Sequence, residues 1–166
     1  TETRKRVKIV FHDLRAELNP MVVRDIGDVN YVLHLAAGSH VDRSIEFPME
    51  FVWDNVVGTG HILEFSRKLK NLERFIYFST DEVFGPAPNG VNYGERDRYN
   101  SSNPYSATKA AITMFTKSIA VDYARKNIRC NCVNPGIINS GMIKPYLDDP
   151  QARRTLLNTM GRQQSL

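Results

Sequence analysis

Short apolar runs alternate with longer amphipathic ones along this chain. Val7-Lys8-Ile9-Val10-Phe11 reads as a strand, and a second runs from Tyr31 to Ala36 and stops at Ala37-Gly38-Ser39. Between Pro48 and Lys70 apolar residues recur at three and four positions (Phe51, Val52, Val56, Ile62, Leu63, Phe65, Leu69), which predicts a long helix. Arg74-Phe75-Ile76-Tyr77-Phe78-Ser79 is a third strand, apolar enough through its middle to be covered on both faces. Gly85 to Asn103 is rich in Gly, Pro, Asn and Ser and reads as a long loop, a length that often carries function. A second long helix is predicted from Pro104 to Lys126, with Pro104 suited to its first turn. Ile128 to Val133 is a fourth strand, ended by Asn134-Pro135-Gly136. Shorter helices fit Asn19 to Ile26 and the segment from Asp148-Asp149-Pro150 to Met160.

Strands alternating with helices predict an α/β fold, with a parallel sheet, flanking helices and right-handed crossovers. The length of 166 residues fits a single domain over 1–166. The formal net charge of +4 is mild, and the dense basic group Arg4, Lys5, Arg6 and Lys8 reads as a solvated end, so no nucleic-acid partner is expected. No apolar run is long enough for a membrane span, and the first residues lack the apolar core of a signal peptide. Cys130 and Cys132 lie two apart on one strand, so they share a face and are poorly placed to pair. They read as reduced core residues of a cytoplasmic protein. No cluster has metal-ligand spacing, and no metal is expected. His34, inside a strand, reads as a core histidine, while His12 and His61 read as turn and helix-surface residues.

In a sheet of this kind ligands bind beyond the carboxyl ends of the strands. Those ends are Asp13-Leu14, Ala36-Ala37-Gly38, Ser79-Thr80-Asp81-Glu82 and Asn134-Pro135-Gly136. Tyr105 and Lys109 sit one helical turn apart, just after the long loop. A free phenol is a poor base at neutral pH, and a neighbouring ammonium favours its ionised form. The hydroxyls of Ser79 and Thr80 are candidates to hold the same substrate oxygen, and Asp81 with Glu82 forms a pair in which one carboxyl acts as acid and the other as base.

These residues carry a resemblance. His34-Leu35-Ala36-Ala37, Ser39-His40-Val41-Asp42-Arg43-Ser44, Asn55-Val56-Val57-Gly58-Thr59, Ser79-Thr80-Asp81-Glu82-Val83-Phe84-Gly85 and Asn103-Pro104-Tyr105-Ser106-Ala107-Thr108-Lys109 resemble extended short-chain dehydrogenases/reductases. Within them the likeness is to nucleotide-sugar 4,6-dehydratases of the dTDP-glucose type and NAD-dependent epimerases. The resemblance implies a Rossmann-like sheet and an NAD-dependent mechanism. In it Tyr105 takes the proton of the sugar C4 hydroxyl, Lys109 holds the cofactor ribose, and Thr80 bonds the C4 oxygen. Asp81 protonates the departing C6 hydroxyl and Glu82 removes the C5 proton. It also implies cofactor contacts at Asp13, Leu14, Ala36, Ala37, Gly38 and Asn55, and substrate contacts at Ser39, His40 and Asn103. A homo-oligomer joined through the two long helices is implied as well.

The resemblance has breaks. The sequence opens at what is the family's third strand, so the first βαβ unit with its Gly-rich turn lies outside it. Gly58-Thr59-Gly60 sits inside a helical pattern and does not replace that turn. Gly38 stands where these dehydratases commonly carry Glu, and Trp53 where they carry a small residue. From Ala110 the likeness changes to classical short-chain dehydrogenases, whose Asn-Pro-Gly turn (here Asn134, Pro135, Gly136) flanks the nicotinamide while a hydroxyl near Ser140 touches its carboxamide. The chain thus reads as truncated or composite. Two other functions stand beside the dehydratase or epimerase: a classical NAD(P)-dependent oxidoreductase of small alcohols or ketones, and a non-catalytic scaffold.

Overall fold

The computed structural model describes residues 6–88, 91–136 and 144–159. In chain order the elements are α1 (Pro20–Ile26), β1 (Tyr31–His34), α2 (Val41–Glu46), α3 (Pro48–Phe51), a π-helical turn (Val52–Val57), α4 (Gly58–Ser66), β2 (Arg74–Phe78), α5 (Pro104–Tyr123), β3 (Arg129–Val133), α6 (Lys144–Asp148) and α7 (Pro150–Thr159). The strands form one parallel sheet in the order β1-β2-β3. The expected Pro48–Lys70 helix is the rod α3–π turn–α4, and the expected Pro104–Lys126 helix is α5 followed by a 3-10 turn over Ala124–Lys126.

Helix starts follow local chemistry. Asn19 accepts from the Met21 and Val22 amides, with Pro20 in the first turn of α1. Asn103 accepts from the Ser106 amide and Ser106 reaches back to the Asn103 amide, a capping box that opens α5. Asp149 accepts from the Gln151 and Ala152 amides ahead of α7, as the Asp-Asp-Pro run led us to expect. Met160, Ile137 and Ser140 lie outside the described residues, as do Arg4 and Lys5. At Gly85 (φ 72°) a side chain would drive into the Asn100 carbonyl oxygen, so the loop after β2 returns against it only because no Cβ intervenes.

The strand register places Val32, Phe75 and Cys130 in one row and His34, Tyr77 and Cys132 in the next. This face meets α4 and α5, and Leu63, Phe75, Tyr77 and Ile112 form its buried centre. Both thiols are free and half-buried on that face. The other face differs from expectation: Leu33 (57%) and Val133 (42%) are exposed, while Ile76 and Phe78 are half-buried. Two successive right-handed crossovers in the same direction lay both helices on one side, so β2 is covered fully on that side alone.

A second correction concerns Val7–Phe11. These residues form no strand, and Val7, Ile9 and Phe11 are exposed at 64%, 73% and 90%. An apolar run becomes a strand only beside a neighbour, and among the described residues β1 pairs with β2 alone. The short α2 and α6 had no periodic signal, because five or six residues hold less than two turns.

Phe75 is fully buried between strand rows and helices. Phe75→Ala should cost about 3–5 kcal/mol in urea unfolding, whereas Phe11→Ala should stay within about 0.5 kcal/mol of the parent.

Candidate active site

Tyr105 and Lys109 lie in the first two turns of α5, and both are buried, at 8% and 3% exposure. Both face the carboxyl end of β2. The Lys109 ammonium donates to the Phe78 carbonyl at 2.8 Å and stands 4.9 Å from the centre of the Tyr77 ring. The Thr80 hydroxyl, two residues beyond Phe78, donates to Asp81 Oδ1 at 3.3 Å and lies close enough to the Tyr105 phenol to favour its ionised form. Its ring meets the edge of Phe51 at 6.4 Å between centres. The buried backbone around Tyr105 is fully engaged: its amide donates to Ser44 Oγ at 3.1 Å and its carbonyl accepts from Thr108 Oγ1 at 2.7 Å.

Thr80, in extended conformation, caps the 3-10 turn Asp81–Phe84 by accepting from the Glu82 amide at 3.3 Å. That turn places Asp81 and Glu82 beside Tyr105, close enough for both charges to bear on its phenol. Asn103 Nδ2 donates to Glu82 Oε2 at 3.2 Å, so Asn103 both caps α5 and holds a carboxylate. Ser79 turns the other way: its Oγ lies 3.0 Å from Thr113 Oγ1, which also sits 3.4 Å from Cys132 Sγ. The Asn134-Pro135-Gly136 turn is tied to the same strand end, because the Asp81 amide donates to the Pro135 carbonyl at 3.1 Å and Asn134 Oδ1 accepts from Cys132 Sγ at 3.3 Å.

At the end of β1, Ala36, Ala37, Ser39 and His40 are exposed and Gly38 is half-buried. Asn55, fully buried in the π-helical turn, accepts from the Gly38 amide at 2.8 Å and donates to the Gly38 carbonyl at 3.1 Å and to Thr108 Oγ1 at 3.0 Å. One amide thus joins the β1 end to the helix that carries Tyr105, and its placement on a π turn is a feature often found at functional sites. A side chain at Gly38 would stand 3.2 Å from the Phe51 ring, a tight contact that the ring would have to give way to. Trp53 is half exposed. Asp13 forms a two-pronged ion pair with Arg15, 2.8 Å at its shorter arm. The Leu14 carbonyl accepts from His61 Nδ1 at 2.8 Å, and Leu14 packs on Gly58 inside α4, so Gly58-Thr59-Gly60 is a helical stretch and not a phosphate turn.

The titration pattern departs from one expectation. Burial raises the Tyr105 phenol above its ordinary value, and the nearby Asp81 and Glu82 charges push the same way, while the Thr80 hydroxyl opposes them. Lys109 is not among the groups that lower the phenol here; its own ammonium donates to the Phe78 carbonyl, and burial brings its pKa down to about 8. Asp81 is raised, chiefly by burial, in the direction a carboxylic acid needs to hold its proton. The Arg15 hydrogen bonds hold Asp13 down at about 2. His34 is the core histidine expected, 4% exposed, with Nε2 2.8 Å from Thr59 Oγ1 and its ring stacked on Tyr77. Sequence reasoning gave no role to Ser44, Thr108 and Thr113: Thr108 and Thr113 share the helix of Tyr105 and Lys109 and could be found by its spacing, whereas Ser44, on α2, had only its place in a matched motif as a signal. Among the described residues no group of three His, Cys, Asp or Glu is placed to hold a metal ion.

A parallel sheet with its polar residues gathered at the strand ends, and a Tyr-Lys helix beside them, is the arrangement of a short-chain dehydrogenase/reductase of the extended type. The chain belongs to the GDP-mannose 4,6 dehydratase family, which it matches over residues 1–144, past Lys109, after which a likeness to classical enzymes was expected. It is 39% identical over 120 residues to a dTDP-glucose 4,6-dehydratase of Escherichia coli, covering 62% of this chain and 33% of that protein. A solved dTDP-glucose 4,6-dehydratase from Streptomyces venezuelae, with NAD and TYD bound, is 30% identical with a TM-score of 0.62, over 68% of this chain and 34% of the other. A UDP-glucose 4-epimerase from Thermus thermophilus, in complex with NAD, is 28% identical with a TM-score of 0.54, over 57% and 30%. The chain spans about a third of the length of the curated relatives it matches.

Burial lowers the His34 pKa from 6.5 to about 4, helped by the Lys109 charge. A base whose folded pKa is depressed contributes no penalty while neutral in both states. Between 6.5 and 4 the unfolded chain takes the proton and the folded one does not, so stability falls as pH falls through that window. We expect about 2 kcal/mol less unfolding free energy at pH 5 than at pH 7, and a smaller loss in His34→Gln, measured by urea titration.

Proposed function

We propose that this chain carries NAD-dependent dehydratase or epimerase chemistry on a nucleotide-sugar, with Tyr105 and Lys109 as its proton relay. The observation that carries the reading is the convergence of a phenol, an ammonium, the Thr80 hydroxyl and a carboxyl held toward its protonated form at one strand end. The related dehydratase and epimerase solved with NAD support the choice of cofactor. Bound NAD supplies a hydride acceptor that is restored when the hydride returns to the sugar at C6.

The ribose and nicotinamide end of such a cofactor is proposed at the Ala36-Ala37-Gly38 end of β1 and the Lys109 ammonium, and its adenine at the Asp13-Leu14 turn. Among the described residues no Gly-rich turn opens a helix to receive its pyrophosphate. Tyr105, in its ionised form, takes the C4 hydroxyl proton, with Thr80 holding the same oxygen. Asp81 gives its proton to the C6 hydroxyl as water leaves, and Glu82, positioned by Asn103, takes the proton from C5. At pH 7 Lys109 stays mostly cationic, since its pKa of about 8 lies above that pH. Ser39, His40 and Asn103 remain proposed substrate contacts.

A second copy joined through the two long helices is proposed on the same footing, supported by the exposed apolar residues Met114 and Phe115 on α5 and Trp53 on the π turn. Two free thiols support a reducing, cytoplasmic setting. Among the described residues no helix is long and apolar enough to cross a membrane. One observation favours a second reading, a classical NAD(P)-dependent oxidoreductase of small alcohols or ketones: the Asn134-Pro135-Gly136 turn is bonded to the Asp81 amide, at the level of the reacting groups.

Titration with NADH, followed by cofactor fluorescence, tests the first step, and binding is expected in the micromolar range. An absence of binding at high micromolar concentration favours the non-catalytic scaffold. Tyr105→Phe should keep NADH affinity within about twofold while turnover of dTDP-glucose falls by about a hundredfold or more. Unchanged turnover in that variant refutes the relay, and turnover of a simple alcohol in place of the nucleotide-sugar selects the second reading.

A further inference from the structure

We propose that Ser44 of α2 is a positioning residue for Tyr105, fixing the first turn of α5 against the loop that follows β1. The inference rests on the reading of Tyr105 as the acid–base group. The first amides of a helix have no acceptor within it. In α5, Pro104 has no amide, the Ser106 amide is taken by the Asn103 side chain at 2.8 Å, and the Ala107 amide by the Asn103 carbonyl at 2.9 Å. The Tyr105 amide is the donor left over, and it is filled from outside the helix by Ser44 Oγ at 3.1 Å.

Ser44 is itself fully buried, and its hydroxyl proton goes to the Val41 carbonyl at 2.6 Å, which leaves a lone pair aimed at Tyr105. Donor and acceptor roles are therefore fixed, with no alternative orientation for the hydroxyl to adopt. The Tyr105 carbonyl accepts from Thr108, whose hydroxyl is also contacted by Asn55. Both polar groups of the Tyr105 backbone are thus set by side chains, and one chain of bonds leads to α2 and the other to the π turn and Gly38. Position 44 governs where the phenol stands relative to the β1 end, although Ser44 does not touch the phenol.

The test uses the full chain with labelled amides and carbon-13 tyrosine, with Tyr105→Phe assigning the ring signal. In Ser44→Ala the Tyr105 amide should exchange at least about tenfold faster while the mid-helix Ile112 amide keeps its wild-type rate. The Tyr105 phenol midpoint should move down toward the ordinary tyrosine value as water reaches it, and Ser44→Thr, which keeps the hydroxyl, should restore both. Turnover should fall about tenfold with NADH affinity within about twofold. Should the alanine variant fail to fold, Ser44→Cys, with a similar volume and a weak acceptor, carries the same readings. Wild-type exchange and phenol midpoint in the variant overturn the proposal, as does equal acceleration along all of α5, which marks a merely structural serine. If the wild-type chain turns over no nucleotide-sugar, the reading of function fails, and the amide and phenol measurements still decide the role of Ser44.

Discussion

The contact on which this site depends is the Lys109 ammonium on the Phe78 carbonyl. A charge at 3% exposure is tolerable only with a strong partner, and here that partner is the last carbonyl of the central strand, with the Tyr77 ring beneath it. The bond joins the two elements that bear the chemistry. α5 brings Tyr105, β2 brings Thr80, Asp81 and Glu82, and the lysine between them sets their separation. The apolar cluster below, centred on Phe75, Tyr77, Leu63 and Ile112, supplies the cohesion. The buried polar groups above it then determine which of the packed arrangements is adopted.

Polar bonds in this region run mostly from side chain to backbone. Asn55 holds Gly38, Ser44 holds the Tyr105 amide, Thr108 the Tyr105 carbonyl and Asn103 the Ser106 amide. Such bonds fix main-chain position and so set where the reacting groups stand. Ser79 fits the same logic: it faces Thr113 and Cys132, so it braces the junction of β2, β3 and α5, while Thr80 is turned to the phenol. Neighbouring hydroxyls in a strand point to opposite faces, and sequence alone does not say which of the two meets the substrate side.

Much of the frame was legible from period and punctuation. The strands at Tyr31, Arg74 and Ile128 and the two long helices announce themselves through apolar spacing, Asn-Pro starts and the turns that follow. The family resemblance rested on short motifs whose residues the structure does gather at one sheet end. Less was legible where the deciding partner is remote in sequence. Val7–Phe11 has a strand's alternation but no neighbour in the sheet, so it stays irregular. β2 has a doubly buried strand's composition, yet both crossovers cover the same side. Tyr105 was expected to be acidified by Lys109, but local spacing could not reveal that burial and the Asp81 and Glu82 charges push the phenol up.

The π turn at Val52–Val57 has its own consequence for how this rod tolerates change. It adds winding between two stretches that answer to different neighbours: Asn55 serves Gly38 and Thr108, whereas Gly58 and His61 serve Leu14. Excising one residue from that turn would restore ordinary pitch but swing one of these groups about 100° off its mark. The irregular coil therefore acts as a phase adjuster, allowing one continuous helix to keep two appointments whose bearings a uniform spiral does not share.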